Sequence, residues 1–582
     1  MSLSQIDNKT NRSGFDLSTK VCYTSKIGEL LPIYCSEVLP GDKFQISPKA
    51  FTRTKPLNTS AYTRLREYYD FYFVPTSQLW FNFKEFITQL TGESSHADSP
   101  ISRNPITDTH PYFSTEEIVA YLNALDASGL ASVKKNMWGY DRSQLTAKLL
   151  EYLGYGCFTK DSVSGFWKSP YEANILLNPF PLLAYQKIYA DHTRNKQWET
   201  NDAWTYNLDY LNSMSSAIPM ATITSQLSSS PTMFDLRYSN WNQDFFMGLK
   251  PNAQFGSTAA LNLNPIESGY IALKSDQLSS SNITTNPDGY LQANTSVGYT
   301  IMPPDIANLR RALGLSTSAT TNDLTSVFSI LALRQAEAMQ RWKEVTQSND
   351  YDYASQINAH FGINVSKAQS NMTRYIGGIT SNLDISEVVN TNLADDTSKA
   401  EIAGKGIGAS NGFISFNSEE HGYIMCIYTC KPILDYELKT ASMPMLKTKV
   451  TDYAIPELDK TGMVGVPALY LSPLSATSNK ILGYAPRYID YKTNYDRVIG
   501  EYRKSLKNWV APITSEYIYN FFSTPESQPT AINWKFFKIN PGLLNSIFGV
   551  DTDSTTATDQ LLNNAYFDVK AIRRLDYDGL PY

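Results

Sequence analysis

The segment EYYDFYFVPTSQLWFNF, residues 67–83, carries eight aromatic side chains in seventeen positions. Successive side chains of a strand point to opposite faces, so Tyr69, Phe71 and Phe73 share one face and Tyr68 and Tyr72 the other. Both faces are bulky. A strand open to water on one side alternates apolar with polar residues, and this one does not. What covers both faces of such a strand is the question the segment raises. Pro75 cannot donate to a ladder and ends the strand.

Working outward, residues 21–75 read as β. GELLPIYCSEVLPGDKFQISPKAFTRTKPL (28–57) consists of short β runs broken by Pro and Gly-Asp. Residues 1–20 are polar and read as an N-terminal arm. Residues 86–165 change character. In STEEIVAYLNALDAS, Ser114 and Glu117 have capping-box spacing, and Ile118, Leu122 and Leu125 follow at helical spacing. DRSQLTAKLLEYLGYG (141–156) predicts a second helix stopped near Gly154, and NPFPLLAYQKIYADHTRN (178–195) a short one opened by Pro181. The longest predicted helix is 323–345, with Phe328, Leu331, Leu333, Ala336, Met339 and Trp342 as a broad apolar face. NGFISFNSEEHGYIMCIYTCKP (411–432) reads as two strands around a turn. β runs at both ends with helices between them predict a mainly β core, residues 21–582, carrying large insertions. No repeat of 20–50 residues is present.

Composition narrows the function. Hydrophobic residues make up 42% of the 582, enough for a sizeable core, and charged residues only 18%. The 38 Tyr have apolar bodies and polar tips, which suits surfaces that become buried against another protein. A net charge of −6 without a basic pole argues against strong phosphate binding by the chain as a whole. Five scattered Cys argue against a disulfide framework and for a reducing compartment. The N-terminus has no secretory h-region, and no apolar run reaches membrane-helix length, so the expectation is a soluble protein made in cytoplasm.

Catalytic motifs are weak. Gly408-Ala409-Ser410-Asn411-Gly412 matches a nucleophile elbow in letters, but a β run follows where an elbow needs a helix. The Gly-rich stretch before it reads as a flexible loop, and it lacks the Lys-Ser/Thr ending of a phosphate loop. The five His are never within helical reach of one another. Cys426 and Cys430 read as buried thiols. Asp551 and Asp553 begin a calcium-like loop that has neither the central Gly nor the closing Glu. No catalytic, cofactor or metal site is expected. Basic residues interleaved with aromatics are the remaining candidates: Lys570, Arg573 and Arg574 near the C-terminus, Arg310 and Arg311, and Arg487 and Lys492 among five Tyr. Such stretches bind single strands or form protein interfaces, and the absence of a net positive patch favours interfaces.

Several stretches resemble one family, the major capsid proteins of microviruses, especially the gokushovirus-like and gut-phage branches. FDLSTKVCYTSKIGELLPIYCSEVLPGDKFQI, YYDFYFVPTSQLW, PLLAYQKIYADHTRN, LRYSNWNQDFF, LRQAEAMQRWKE, INAHFGI, RYIGGITSNLDISEVV, EEHGYIMCI, YAPRYIDYK and the closing GLPY are similar to family blocks and follow in the family's order. MGLKPNAQFG, after Phe246, departs from the usual continuation, and segments 86–165 and 256–322 do not align. The resemblance implies an eight-stranded antiparallel jelly roll with long, partly helical insertions. It implies a structural subunit of the virion, sixty copies of which form a T=1 shell around a circular single-stranded DNA genome, assembled in bacterial cytoplasm. Implied partners are other copies of the chain, a small basic DNA-packing protein, a DNA pilot or minor spike protein, a scaffolding protein, the genome and a host surface receptor such as a glycan, with no membrane. Within this frame Arg573, Arg574, Lys570, Arg487 and Lys492 are candidates for the inner surface or an interface. Residues 252–322 are a candidate outward projection with Pro287, Asp288, Gly289 and Tyr290 at its tip. Rival classes are a phage tail or receptor-binding β protein, and a carbohydrate-active β enzyme, which needs a carboxylate pair that no local spacing suggests.

Overall fold

A computed structural model describes residues 12–57, 61–88, 109–211, 217–225, 231–256, 283–285, 291–293, 330–350, 352–364, 366, 371–389, 402–437, 439–471, 480–514, 517–518, 520–521, 532–548 and 559–577. The chain divides into two compact units: residues 1–253 with 346–582, and residues 254–345. The insertion expected at 252–322 falls mostly within the second unit.

In the first unit ten strands are joined in one hydrogen-bonded sheet: β1 (Ser13–Asp16), β2 (Thr19–Ser25), β3 (Leu31–Val38), β4 (Lys43–Thr54), β5 (Leu65–Pro75), β6 (Arg374–Val389), β7 (Ile402–Asn411), β8 (Ile414–Asn417), β9 (Gly422–Pro432) and β10 (Leu561–Arg573). Their pairings are all antiparallel and fall into two layers. One runs β2–β10–β4–β7, the other β3–β9–β5–β6. β6 turns the corner between them: Arg374–Leu383 pairs with β5, and Asp384–Val389 pairs with β7. The inner faces meet through ring pairs, Tyr23 with Tyr428 at 5.2 Å, Phe71 with Phe567 at 6.0 Å and Phe73 with Phe416 at 4.8 Å. This two-layer antiparallel sandwich is the expected mainly β fold, with strand order and crossings of the jelly-roll kind.

Ten strands appear where eight were expected because two are interrupted. β1 and β2 share β10, and β7 and β8 share β4. At the second break, a Cβ on Gly412 would stand 2.2 Å from Ile379 Cγ2, so only glycine fits. Two further corrections follow. Residues 13–16 and 19–20, read as part of an arm, are strands, since Phe15 and Leu17 are half-buried and the latter packs on the core; residues 1–11 lie outside the described residues. The glycine-rich stretch before Ser410, read as a flexible loop, is β7. Gly408 in it serves close packing: a Cβ there would meet Glu67 Oε2 at 2.8 Å and Leu383 Cδ1 at 3.0 Å.

The double cover on residues 67–83 has a specific source. Leu65, Glu67, Tyr69, Phe71 and Phe73 point into the sandwich and are buried. On the other face Tyr72 is buried against the His192 ring at 4.8 Å, and Val74 is also buried. His192 belongs to the connection between β5 and β6, so an insertion of the same chain covers this end of the strand. Arg66, Tyr68 and Asp70 stay half-exposed.

That connection, residues 76–373, holds the predicted helices. α1 (Thr115–Ala127) has both capping-box bonds, Glu117 N to Ser114 Oγ at 3.3 Å and Ser114 N to Glu117 Oε2 at 2.8 Å. α2 (Arg142–Tyr152) buries Leu145, Leu149 and Leu150 on its apolar face, and Gly154 (φ +89°) follows it. α3 (Phe180–Ile188) is buried at nearly every position. In the second unit, Ile283–Thr285 pairs antiparallel with Leu291–Ala293, on either side of the candidate tip. Its tip, Pro287 to Tyr290, and most of 252–322 lie outside the described residues. α4 (Ile330–Ser348) is the predicted long helix, but its apolar face is not buried: Leu333, Met339 and Trp342 are 49%, 50% and 47% exposed. No helix among the described residues is long and apolar enough to cross a membrane.

Candidate assembly and nucleic-acid surfaces

The C-terminal basic residues sit at the end of β10 and differ in what they face. Arg573 Nε lies 3.1 Å from Oδ2 of the fully buried Asp42, its Nη2 donates to the Glu37 carbonyl at 2.7 Å, and the guanidinium covers the Phe44 ring. Asp42 also accepts the Leu39 N–H at 3.0 Å, across a turn in which Gly41 takes φ +86°. Arg573 thus clamps the Leu39-Pro40-Gly41-Asp42 turn. Lys570 is exposed and lies 2.6 Å from Asp16 and 3.4 Å from Asp568. Its hydrogen bond to Asp16 holds the lysine above its ordinary pKa and the aspartate down at about 2. Arg574 is exposed beside Gly41.

Arg487 and Lys492 lie on other elements, after the strand Ile481–Pro486 and at the end of a short helix, Ile489–Lys492. Lys492 pairs with Asp459. Arg487 lines a cleft of about 330 Å³ with Asp452, Tyr470, Tyr488 and Asp490, where Lys447 pairs with Asp490 over the Tyr491 ring. The structure therefore separates the five candidates into two groups, and carboxylates occupy three of them: Arg573, Lys570 and Lys492. Arg310 and Arg311 lie outside the described residues.

Folding assembles a surface that no single stretch of sequence displays. In β4 the alternation Lys43, Gln45, Ser47, Lys49, Phe51, Arg53 places six residues on one face, away from the core. Register extends this into cross-strand rows: Thr24–Leu562–Arg53–Ile407, Cys22–Asn564–Phe51–Ala409 and Lys20–Tyr566–Lys49–Asn411. All these row positions are exposed. Arg53 covers the Phe51 ring at 5.0 Å. Among the described residues none of Lys20, Lys43, Lys49 and Arg53 is in an ion pair. The carboxylates at the end of this face, Asp16 and Asp568, are both engaged by Lys570. The sequence signal was the period-2 pattern of 43–53, which does not stand out because its cations are spaced singly.

Between the layers lies a buried polar cluster. Tyr428 donates to Glu67 Oε1 at 2.8 Å and Ser381 Oγ to Glu67 Oε2 at 3.0 Å, while Asn563 Nδ2 donates to Ser25 Oγ at 2.7 Å. Burial pushes the Glu67 carboxyl above the usual glutamate value, against these donors. Cys430 and Cys426 are fully buried nearby on β9, and burial drives both thiols upward. Ser410 pairs with Ala50 inside the sheet, and the chain runs on into β8, not into a helix. Among the described residues no group of three or more His, Cys, Asp or Glu is arranged to hold a metal ion; Asp551 and Asp553 lie outside them.

A two-layer antiparallel sandwich of jelly-roll strand order, with first-unit helix α3 packed on one layer and rows of exposed cations and aromatics on the other, is consistent with a viral capsid subunit. The chain belongs to the capsid protein (F protein) family, whose model matches residues 4–127 and 165–581. The break, 128–164, falls within the segment 86–165 that resisted alignment; segment 256–322, which also resisted it, lies inside the matched span. The chain is 22% identical to capsid protein VP1 of Chlamydia phage 1 over 559 residues, covering 86% of each chain. It is 23% identical to capsid protein VP1 of Bdellovibrio phage phiMH2K over 606 aligned positions, covering 98% of this chain and 95% of that one. These likenesses agree with the microvirus resemblance. The protein is a structural component of a virion, not an enzyme, and it assembles with copies of itself.

Proposed function

We propose that the subunit closes into a T=1 icosahedral shell of sixty copies around a circular single-stranded DNA genome. The supporting observation is the unlikeness of its surfaces. Helix α3 and His192 of the first unit pack over one layer, while the other is open, and large apolar side chains such as Phe81, Phe166, Phe413 and Tyr577 are exposed at scattered places on the subunit. Unlike patches give heterologous contacts, which close into rings around five-fold and three-fold axes. Aromatic anchors suit such contacts, and many modest interfaces sum to a stable shell while each stays reversible.

Residues 252–322 form an outward projection in this reading, with Pro287, Asp288, Gly289 and Tyr290 at a tip that meets a neutral receptor such as a glycan. The paired strands on either side of 286–290 support a tip there. Arg574 and Arg487 serve the inner surface or subunit contacts, while Arg573, Lys570 and Lys492 act first within the subunit. A net charge of −6 leaves most genome neutralisation to a small basic DNA-packing protein, with pilot and scaffolding proteins as further partners. Electron microscopy of the protein expressed with its phage's other structural proteins tests the reading. Closed shells of uniform size are expected; monomers or elongated trimers contradict it.

A further inference from the structure

We propose that a cavity of about 250 Å³ in the first unit, lined by the start of α2, the turn after α3, residues 231–238 and residues 534–538, is a binding site for a small phosphate-type oxyanion. The site does not depend on the shell reading. Three observations argue for this ligand.

The first is the balance of charge. Lys135, Arg142, Arg237, Lys535 and Lys538 line the cavity, against two carboxylates, Asp235 and Glu199. Both carboxylates are already engaged. Asp235 takes the Arg142 guanidinium in a two-pronged pair, Nε to Oδ1 and Nη2 to Oδ2, at 2.5 Å each. Glu199 lies 3.0 Å from Lys538 Nζ and accepts the Tyr189 hydroxyl at 2.5 Å. Lys135, Arg237 and Lys535 are in no ion pair among the described residues. A chain of net charge −6 thus holds, around one cavity, cations that its own carboxylates do not pair.

The second is Arg237 itself, which is only 5% exposed. Its Nε donates to Gln186 Oε1 at 2.7 Å, and its guanidinium lies over the Tyr189 ring, 4.8 Å from the centroid. Its Nη2 is buried and has no hydrogen-bond partner among the described residues. A buried donor without an acceptor costs its desolvation, more so when charged, and an oxyanion in the cavity supplies the acceptor. Lys538 sits on the same Tyr189 ring at 4.7 Å. Burial holds this lysine below its ordinary pKa, with Arg237 and Arg194 as like charges acting against Glu199. The potential at this end of the cavity is therefore positive.

The third is the arrangement of donors. They come from three separate stretches: Lys135 with Arg142, then Arg237, then Lys535 with Lys538. A tetrahedral phosphate has acceptor oxygens on every side and can use donors from several directions, whereas a planar carboxylate presents one edge. Met137, Pro231, Leu236 and Trp534 complete the wall. Apolar surroundings strengthen each charge contact. Lys135 and Lys535, half-exposed and exposed, are the members that solvent reaches.

The test is isothermal titration calorimetry of full-length unassembled subunits with sodium phosphate, at constant ionic strength against sodium chloride, with glycerol phosphate as a second arm. Saturable phosphate binding is expected. Equal affinity for the two assigns the site to the free ion, and tighter binding of glycerol phosphate assigns it to a phosphate monoester; both results support the site. Lys135→Ala and Lys535→Ala, at accessible positions, should each weaken binding about fivefold with an unchanged melting temperature. Arg237→Gln should abolish binding, and where that variant does not fold the two lysine variants decide. Lys492→Ala, outside the cavity, should bind as wild type. No saturable phosphate heat beyond that of chloride, or binding unchanged in both lysine variants, overturns the proposal. So does displacement of phosphate by an equal concentration of an oligo-dT strand without a terminal phosphate, because the groups then belong to an open polynucleotide surface. Closed particles formed by the variants keep the capsid reading intact whatever the calorimetry shows.

Discussion

Tyr428 donates a 2.8 Å hydrogen bond to Glu67 inside the sandwich, where Glu67 is 1% exposed. The two residues stand on neighbouring strands β9 and β5, and Gly408 of the other layer approaches the same carboxylate. A buried carboxyl with few donors favours its neutral form. Its pKa is raised above the ordinary 4.5, so its contribution to stability is full below that value and is lost as pH rises through the raised value. Glu67→Gln removes the titration. The melting temperature of the variant relative to wild type should therefore climb as pH goes from 4 to 8; a pH-independent difference contradicts the assignment. Tyr428→Phe should cost about 1–3 kcal/mol in urea unfolding, because the carboxyl loses a donor.

Phe71 and Phe73 are buried on the inner face of β5, each in contact with a ring of the other layer. Phe71→Ala or Phe73→Ala should each cost about 3–5 kcal/mol, with loss of soluble protein. Wild-type yield and melting temperature in both variants contradict their place in the core.

Gly408→Val forces a side chain against Glu67 Oε2 and Leu383, so it should destabilise by about 1–3 kcal/mol or more. Two residues on, Ser410→Ala should leave assembly and infectivity unchanged. Covalent labelling by a serine-directed probe that disappears in Ser410→Ala contradicts a structural serine.

Arg573→Ala leaves the buried Asp42 carboxylate without its cation, which should cost about 3–5 kcal/mol in chemical unfolding. Its effect on nucleic-acid affinity, measured on whatever fraction folds, should be small. Normal stability with a large loss of affinity would make Arg573 a nucleic-acid contact and not a clamp on the turn.

Replacing residues 270–295 with a short Gly-Ser linker should still give closed particles but impair adsorption to host cells. If particles fail to form, the segment is an interface element; if they form and adsorb normally, it has no receptor role.

Local signals made much of the fold legible. The Ser114–Glu117 spacing announced a cap, Pro75 an end, and the aromatic run 67–83 a doubly covered strand, because each is decided within a few residues of chain. What covers that strand was not legible: Tyr72 meets His192, more than a hundred residues away. β7 was misread because glycine in a strand usually signals a turn, whereas here the demand for glycine comes from Glu67 and Leu383 across the sandwich. Among the candidate residues the same distinction holds. Lys570, Arg573 and Arg574 stood out as a cluster in sequence, yet Asp42 and Asp16, from the other end of the chain, claim two of them. The open basic face escaped notice because its cations come singly from two stretches, Lys20 and Lys43 to Arg53, and only register brings them together.

The central claim is a jelly-roll subunit that closes into an icosahedral shell with every copy in one environment. A three-dimensional reconstruction of purified particles by cryo-electron microscopy tests it most directly. The account predicts sixty equivalent sandwiches per particle, with residues 283–293 on the outside. Subunits in several distinct environments, or an open assembly with no closed shell, would contradict it.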